Sequence, residues 1–145
     1  MPKIQRSALV RFSAERMFDL VDDIEAYENF LPWCESSKVL RRQDEFVEAK
    51  LNISGAGIKQ SFTTRNTHRG KQEMRMDLVD GPFKKLHGVW SFLPLREDAC
   101  KVTLDLEFEL SGTLSSLAFG AVFSRICNTL VSAFSQRAKD LYGKP

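Results

Sequence analysis

From Cys100 to Leu110 every second residue is apolar, and immediately afterwards the spacing changes. Cys100, Val102, Leu104, Leu106, Phe108 and Leu110 alternate with Lys101, Thr103, Asp105, Glu107 and Glu109. That alternation describes a strand with one face on a core and the other in water. Past Ser111-Gly112-Thr113 the period becomes helical, continuing to Tyr142 and stopped by Gly143 and Pro145. At about 100° per residue, Phe119, Phe123, Ile126, Leu130, Phe134 and Leu141 fall in one narrow sector. A one-sided sheet and a one-sided helix must bury their apolar surfaces on each other, which predicts an α+β fold.

The chain before Cys100 supplies the rest of the sheet. Residues 3–11 read as a strand, Ser13 as a helix cap with Glu15 in the first turn, and Phe12 with Met17 as a hydrophobic staple. Met17, Phe18, Leu20 and Val21 give this short helix its apolar side, and a second short helix is predicted over residues 23–29. Pro32 biases Leu31 away from the helical region and ends it. Period two then takes over. Val47, Ala49, Leu51 and Ile53 share a face, as do Ile58, Phe62 and Thr64, then Met74, Met76 and Leu78, then Leu86, Gly88, Trp90 and Phe92. Turns are expected at Gly55–Gly57, at His68-Arg69-Gly70, at Asp80-Gly81-Pro82 and from Pro94 to Asp98. No βαβ repeat occurs, so a doubly wound parallel sheet is excluded. The expected architecture is a curved antiparallel sheet of six or seven strands gripping the C-terminal helix, with two short helices after the first strand.

A chain of 145 residues suits one domain spanning 1–145, and its 11 Phe call for a substantial apolar interior. A curved sheet around one helix also tends to leave a gap where a ligand lies. The first helical turns, with Leu114, Leu117, Ala118 and Ala121, are apolar nearly all round, so they are covered by another element or line a cavity mouth.

Catalytic and metal chemistry find little support. His68 and His87 lack ligand-spaced partners, and His68 is expected to sit solvated in its turn. Cys34, Cys100 and Cys127 form no CxxC pair and read as reduced, partly buried thiols. No GxSxG is present, Gly55-Ala56-Gly57 lacks the features of a phosphate loop, and Asp105, Glu107 and Glu109 lie on a solvated strand face. Neither an enzyme nor a required cofactor is expected. The N-terminal apolar run is too short for a signal peptide and no stretch reaches membrane-spanning length, which predicts a cytoplasmic protein.

The net charge of +2 conceals an uneven distribution. Glu15, Asp19, Asp22, Asp23, Glu25 and Glu28 face only Arg16 in the first helices, whereas Lys59, Arg65, Arg69 and Lys71 stand in a stretch without acids. Such asymmetry supports oriented docking. The basic residues lack the aromatic spacing of a single-strand platform, so phosphate contact with RNA is the reading weighed against a plain solvated face. No DNA partner is expected.

Three segments carry a resemblance that covers essentially the whole chain: Tyr27–Cys34, Phe62–Asn66 and the run LVDGPFKKLHGVWSF at residues 78–92. With these the sequence resembles the coenzyme Q-binding START-like family of the polyketide cyclase/dehydrase superfamily, and within it the bacterial ribosome-association toxins. The resemblance implies a helix-grip fold with a deep apolar cavity and a non-enzymatic role. For the coenzyme Q relatives it implies a ubiquinone carrier or chaperone that supports respiration; Phe30, Leu31 and Trp33, apolar in a polar neighbourhood, are weighed as a lid, as a patch in transient contact with the inner membrane, or as ordinary packing. For the toxins it implies binding to the large ribosomal subunit and blocked subunit joining. The matched segments place Phe83, Leu86 and Trp90 at the cavity wall, which Phe62, Met76, Phe119, Phe123 and Ile126 are expected to complete. They place Phe30, Leu31, Pro32 and Trp33 at the entrance, opposite Leu114, Leu117 and Ala118. Binding of ubiquinone or a similar isoprenoid lipid is the primary expectation and ribosome association the alternative.

Overall fold

The computed structural model describes residues 3–55, 57–112 and 114–143, the side chains of 114–117 excepted. Seven strands form the sheet: β1 (Lys3–Val10), β2 (Cys34–Arg42), β3 (Phe46–Gly55), β4 (Ile58–Arg69), β5 (Glu73–Asp80), β6 (Phe83–Arg96) and β7 (Ala99–Leu110), all but β2 on segments named from the sequence. All neighbours pair antiparallel, in the spatial order β1-β7-β6-β5-β4-β3-β2. The strands consecutive in sequence, β1 and β2, are therefore the two edges. Crossing six inter-strand gaps takes roughly 29 Å. That passage is made by α1 (Ala14–Asp22) and a short 3-10 helix (Ile24–Asn29), followed later in the chain by α2 (Leu114–Tyr142).

Local chemistry sets the start of the passage. The Ser13 hydroxyl accepts a hydrogen bond from the Arg16 amide at 3.1 Å, satisfying one of the orphan donors of α1. Phe12 and Met17 on either side of this cap are both buried, as a staple requires. At the far side of the passage the Tyr27 hydroxyl donates to the Val21 carbonyl, tying the 3-10 helix back to α1.

The core lies between one sheet face and α2. Val47, Met74, Phe92, Leu104 and Phe108 come from the strands and Phe119, Phe134 and Ala138 from the helix, all at most 1 % exposed. Three expectations are corrected. The strand β6 runs through Pro94 to Arg96 with a register shift before Arg96, because Pro94 sits at a ladder irregularity where the missing amide is tolerated. His68 is not a turn residue in solvent. It lies within β4 with only 12 % of its side chain exposed, edge-on to Phe18 and with Nε2 3.0 Å from Asp22 Oδ1, because α1 crosses above that end of the sheet.

The third correction concerns the helix stripe. Phe119, Phe123, Ile126 and Phe134 are buried as expected, but Leu141 is 52 % exposed. The buried set continues instead through Cys127, Val131 and Ala138. An α-helix has 3.6 residues per turn, so a contact line drifts around it, and the last turn directs Tyr142 toward Phe12 and Arg16 rather than Leu141 toward the sheet.

Candidate functional site

Between the inner sheet face and α2 lies an apolar cavity of about 70 Å³. Its walls follow from the strand alternation: Ala49, Leu51 and Ile53 from β3, Phe62, Thr64 and Asn66 from β4, Met76 from β5, Leu86 and Trp90 from β6, and Leu106 from β7. Phe123, Ile126, Cys127, Leu130 and Phe134 of α2 form the roof, and Ile24, Tyr27 and Trp33 close one side.

Aromatic rings pack around the void at two ends. At one end Phe83 and Phe108 meet Phe123 edge-on, with ring centroids 4.8 and 5.0 Å apart, and Phe119 packs behind them. At the other end Phe134 is met edge-on by Tyr27, Phe30 and Trp90 at 5.3, 5.5 and 5.4 Å. Edge-to-face pairs of this kind contribute about 0.5–1.5 kcal/mol each beyond the area they bury.

Of the expected wall residues, Phe62, Met76, Leu86, Trp90, Phe123 and Ile126 line the cavity, while Phe83 and Phe119 stand one layer behind. Among the described residues of the expected entrance, only Trp33 reaches the void. Leu31 is 2 % exposed and belongs to the core, Phe30 packs on Phe134 beneath the Arg137 guanidinium, Pro32 is exposed and so is Ala118. The side chains of Leu114 and Leu117 lie outside the described residues.

The polar part of the wall was not anticipated. Thr64 and Asn66 are buried, and the Thr64 hydroxyl donates to the Asn66 side-chain oxygen at 2.9 Å. The signal was present, since Asn66 falls two residues beyond Thr64 on the same inner face. Tyr27 offers the cavity no hydroxyl, because that group is spent on Val21, and burial pushes its phenol far above the usual range. Cys127 in the roof is likewise held protonated by burial. The cavity thus presents aliphatic and aromatic carbon with one polar pair, Thr64 and Asn66, a surface suited to apolar ligands rather than to proton transfer. Among the described residues no cluster of three or more His, Cys, Asp or Glu is placed to hold a metal.

The basic residues singled out in the sequence divide between two places. Lys59, Arg65 and Arg69 share the outer face of β4, Lys59 near one end and Arg69 at the other. Arg65 is paired with Glu48 at 2.8 Å and Arg69 with Glu73 at 3.7 Å. The Glu48 carboxyl is held below its ordinary range chiefly by the hydrogen bond from Arg65. Lys71 folds away onto α1, where Asp19 at 2.9 Å and Glu15 at 3.3 Å keep its ammonium protonated beyond the usual pH, Asp19 contributing most. His87, on the outer face of β6, meets Asp77 at 2.8 Å.

Residues 10–135 match the family described as polyketide cyclase / dehydrase and lipid transport. The chain belongs to this family. Within it, the protein is 49 % identical over 144 residues to the ribosome association toxin RatA of Vibrio cholerae, covering 99 % of this chain and 100 % of that one. Its identity to RatA of Pseudomonas aeruginosa is 47 % over 140 residues, 97 % of each chain. A mitochondrial coenzyme Q-binding protein COQ10 homolog of Xenopus laevis is 30 % identical over 142 residues, 95 % of this chain but 58 % of its own length. Among solved structures, a START superfamily protein of Mycobacterium smegmatis superposes with a TM-score of 0.80 at 22 % identity, covering 96 % and 98 % of the two chains. The two chains thus share the helix-grip architecture found here.

Proposed function

We propose that this protein acts without catalysis, by associating with the ribosome in the manner named for its RatA relatives. The observation that carries the proposal is the near-filled interior, read beside the full-length similarity to RatA. A void of about 70 Å³ is less than half the roughly 150 Å³ of an apolar core cavity that binds one benzene. It is further below the roughly 300–1,000 Å³ of pockets that enclose larger ligands. An isoprenoid tail exceeds this volume, which favours the outside as the working surface. The order of the two activities expected from the sequence is therefore reversed.

Sedimentation of the purified chain with isolated ribosomal subunits tests this reading. Co-migration with the large subunit, and fewer joined ribosomes as the chain is added, is the expected result. Failure to co-migrate with either subunit at low salt would reject it.

Apolar-ligand binding is retained as a second reading, favoured by the carbon-lined cavity and the likeness to the coenzyme Q-binding relative. It requires α2 or the segment around Trp33 to move outward, since the tail gains about 25 cal/mol per Å² of apolar surface buried only once a channel exists. Mass spectrometry of lipids co-purified with the gently isolated protein tests it. Ubiquinone in stoichiometric amount supports the reading. A chain that neither retains nor takes up a short-tailed quinone rejects it.

A further inference from the structure

We propose that the outer face of β2, β3 and β4 is an RNA-docking surface that holds phosphodiester groups through Lys38, Arg41, Lys50 and Lys59. The proposal deepens the ribosome-association reading and rests on it for its setting. It begins with an unfavourable pairing. Lys38 of β2 lies directly opposite Lys50 of β3, both side chains exposed on the outer face. Like charges directly opposite one another destabilise a sheet. Among the described residues, neither ammonium has a carboxylate at ion-pair distance. A lysine on an edge strand guards against edge-to-edge association, which accounts for Lys38. It does not account for Lys50, which sits on an inner strand between β2 and β4. An anion bridging the two would turn the repulsion into attraction.

The neighbouring groups extend this pair into a stripe. Toward one end, the guanidinium of Arg41 lies 5.1 Å from the Phe46 ring centroid, and that of Arg65 lies 4.2 Å from the same ring. Arg65 is bound to Glu48, so it braces the ring. Arg41 is oriented by the stacking while its N–H groups keep the fork geometry that suits phosphate oxygens. Toward the other end, Lys59 stands opposite Ser54 and borders a shallow surface groove with Ser36, Asn52, Gln60 and Ser61, Glu35 being the acid on its rim. Asn52 donates its amide hydrogen to the Ser36 hydroxyl, which fixes part of that groove.

From the level of Glu48, beside Arg41, to that of Ser54, beside Lys59, the stripe runs roughly 20 Å at the usual strand rise. That length reaches several successive phosphates of one strand. The hydroxyl and amide groups between the charges suit riboses and phosphate oxygens. A membrane surface would call for apolar side chains to insert, and among the described residues beside the stripe only Leu40 is large, apolar and exposed. Lys71, expected from the sequence to join the RNA contacts, is excluded by its bonds to Glu15 and Asp19.

The test compares the wild-type chain with Lys38→Gln/Lys50→Gln in binding to an in vitro transcript of large-subunit RNA across a salt series. The double variant should lose about tenfold or more in affinity, and its salt slope should fall by roughly 1.5, the counterion release of two phosphate contacts. It should unfold at an equal or higher urea concentration, because the repulsion is gone, so weakened binding cannot be ascribed to a weakened fold. Lys85→Gln/Lys101→Gln, on the β6–β7 part of the same face, should alter affinity by no more than about twofold. Wild-type binding with unchanged affinity and slope in Lys38→Gln/Lys50→Gln overturns the surface while leaving ribosome association standing. RNA binding lost in that variant, without co-sedimentation of the wild type with subunits, supports the surface and rejects the ribosome reading. Wild-type protein that fails to bind RNA at low salt overturns the proposal, including where it binds phosphatidylglycerol vesicles.

Discussion

Replacing Phe134 by alanine probes the cavity and the core together. The ring is 1 % exposed, lines the void, and meets Tyr27, Phe30 and Trp90 edge-on. Losing its burial costs about 1.5–3 kcal/mol in transfer free energy. The space left behind costs about 24 cal/mol per Å³ to the extent that the walls fail to collapse. The walls already leave about 70 Å³ open, and because that void is common to wild type and variant only newly created space adds to the cost. Tyr27, Phe30 and Trp90 would each be deprived of an aromatic neighbour as well. Phe134→Ala should therefore fall within the about 3–5 kcal/mol range for such changes. A chain of this size should then melt about 10 °C lower or more. Urea unfolding followed by Trp fluorescence is the direct assay, since Trp90 lies 5.4 Å from the missing ring. The enlarged void should also accept benzene, which would raise the unfolding midpoint of the variant but not of the wild type. Leu141→Ala, at a residue 52 % exposed, should stay within about 0.5 kcal/mol. A loss below about 1 kcal/mol at Phe134, or an equal loss at Leu141, would refute this account of the core.

Three further outcomes follow from the same geometry. A Cβ at Gly88 would come within 2.8 Å of Met76 Cε and 2.9 Å of Leu106 Cδ1, and both side chains border the void. Gly88→Ala should therefore push them inward at a cost below about 1.5 kcal/mol; a larger loss would show that these groups cannot give. The thiols Cys34, Cys100 and Cys127 are buried and unpaired, so native protein should react slowly with a disulfide reagent at pH 8 and release all three groups on unfolding. A rapidly reacting native thiol would contradict their burial. Burial pushes Cys100 from an ordinary value of 9.0 up to about 11, so above pH 9 the unfolded chain binds fewer protons than the folded one. This contribution to stability is fully present below pH 9 and lost as pH rises to about 11; Cys100→Ala should flatten that decline in urea midpoints, and an unchanged slope would reject the assignment.

The apolar faces of the strands and of α2 were legible because side-chain direction follows backbone geometry, with period two in a strand and 3.6 in a helix. Val102 to Phe108 and Phe119 to Phe134 therefore announced their burial without reference to any partner. The succession β2 to β7 follows from short turns between antiparallel neighbours, whereas the placing of β1 beside β7 was decided only by the tertiary structure. What the tertiary structure alone decided is whatever depends on a distant segment arriving at a given spot. His68 became largely buried because α1 crosses above it, and Lys71 was neutralised because that helix brings Glu15 and Asp19 to it. Lys38 came to face Lys50 through the β2–β3 register, which shifts at Val39/Arg41. The cavity is the extreme case. Its volume is the small remainder after large side-chain volumes interlock, so it depends on every rotamer at once and on no local pattern.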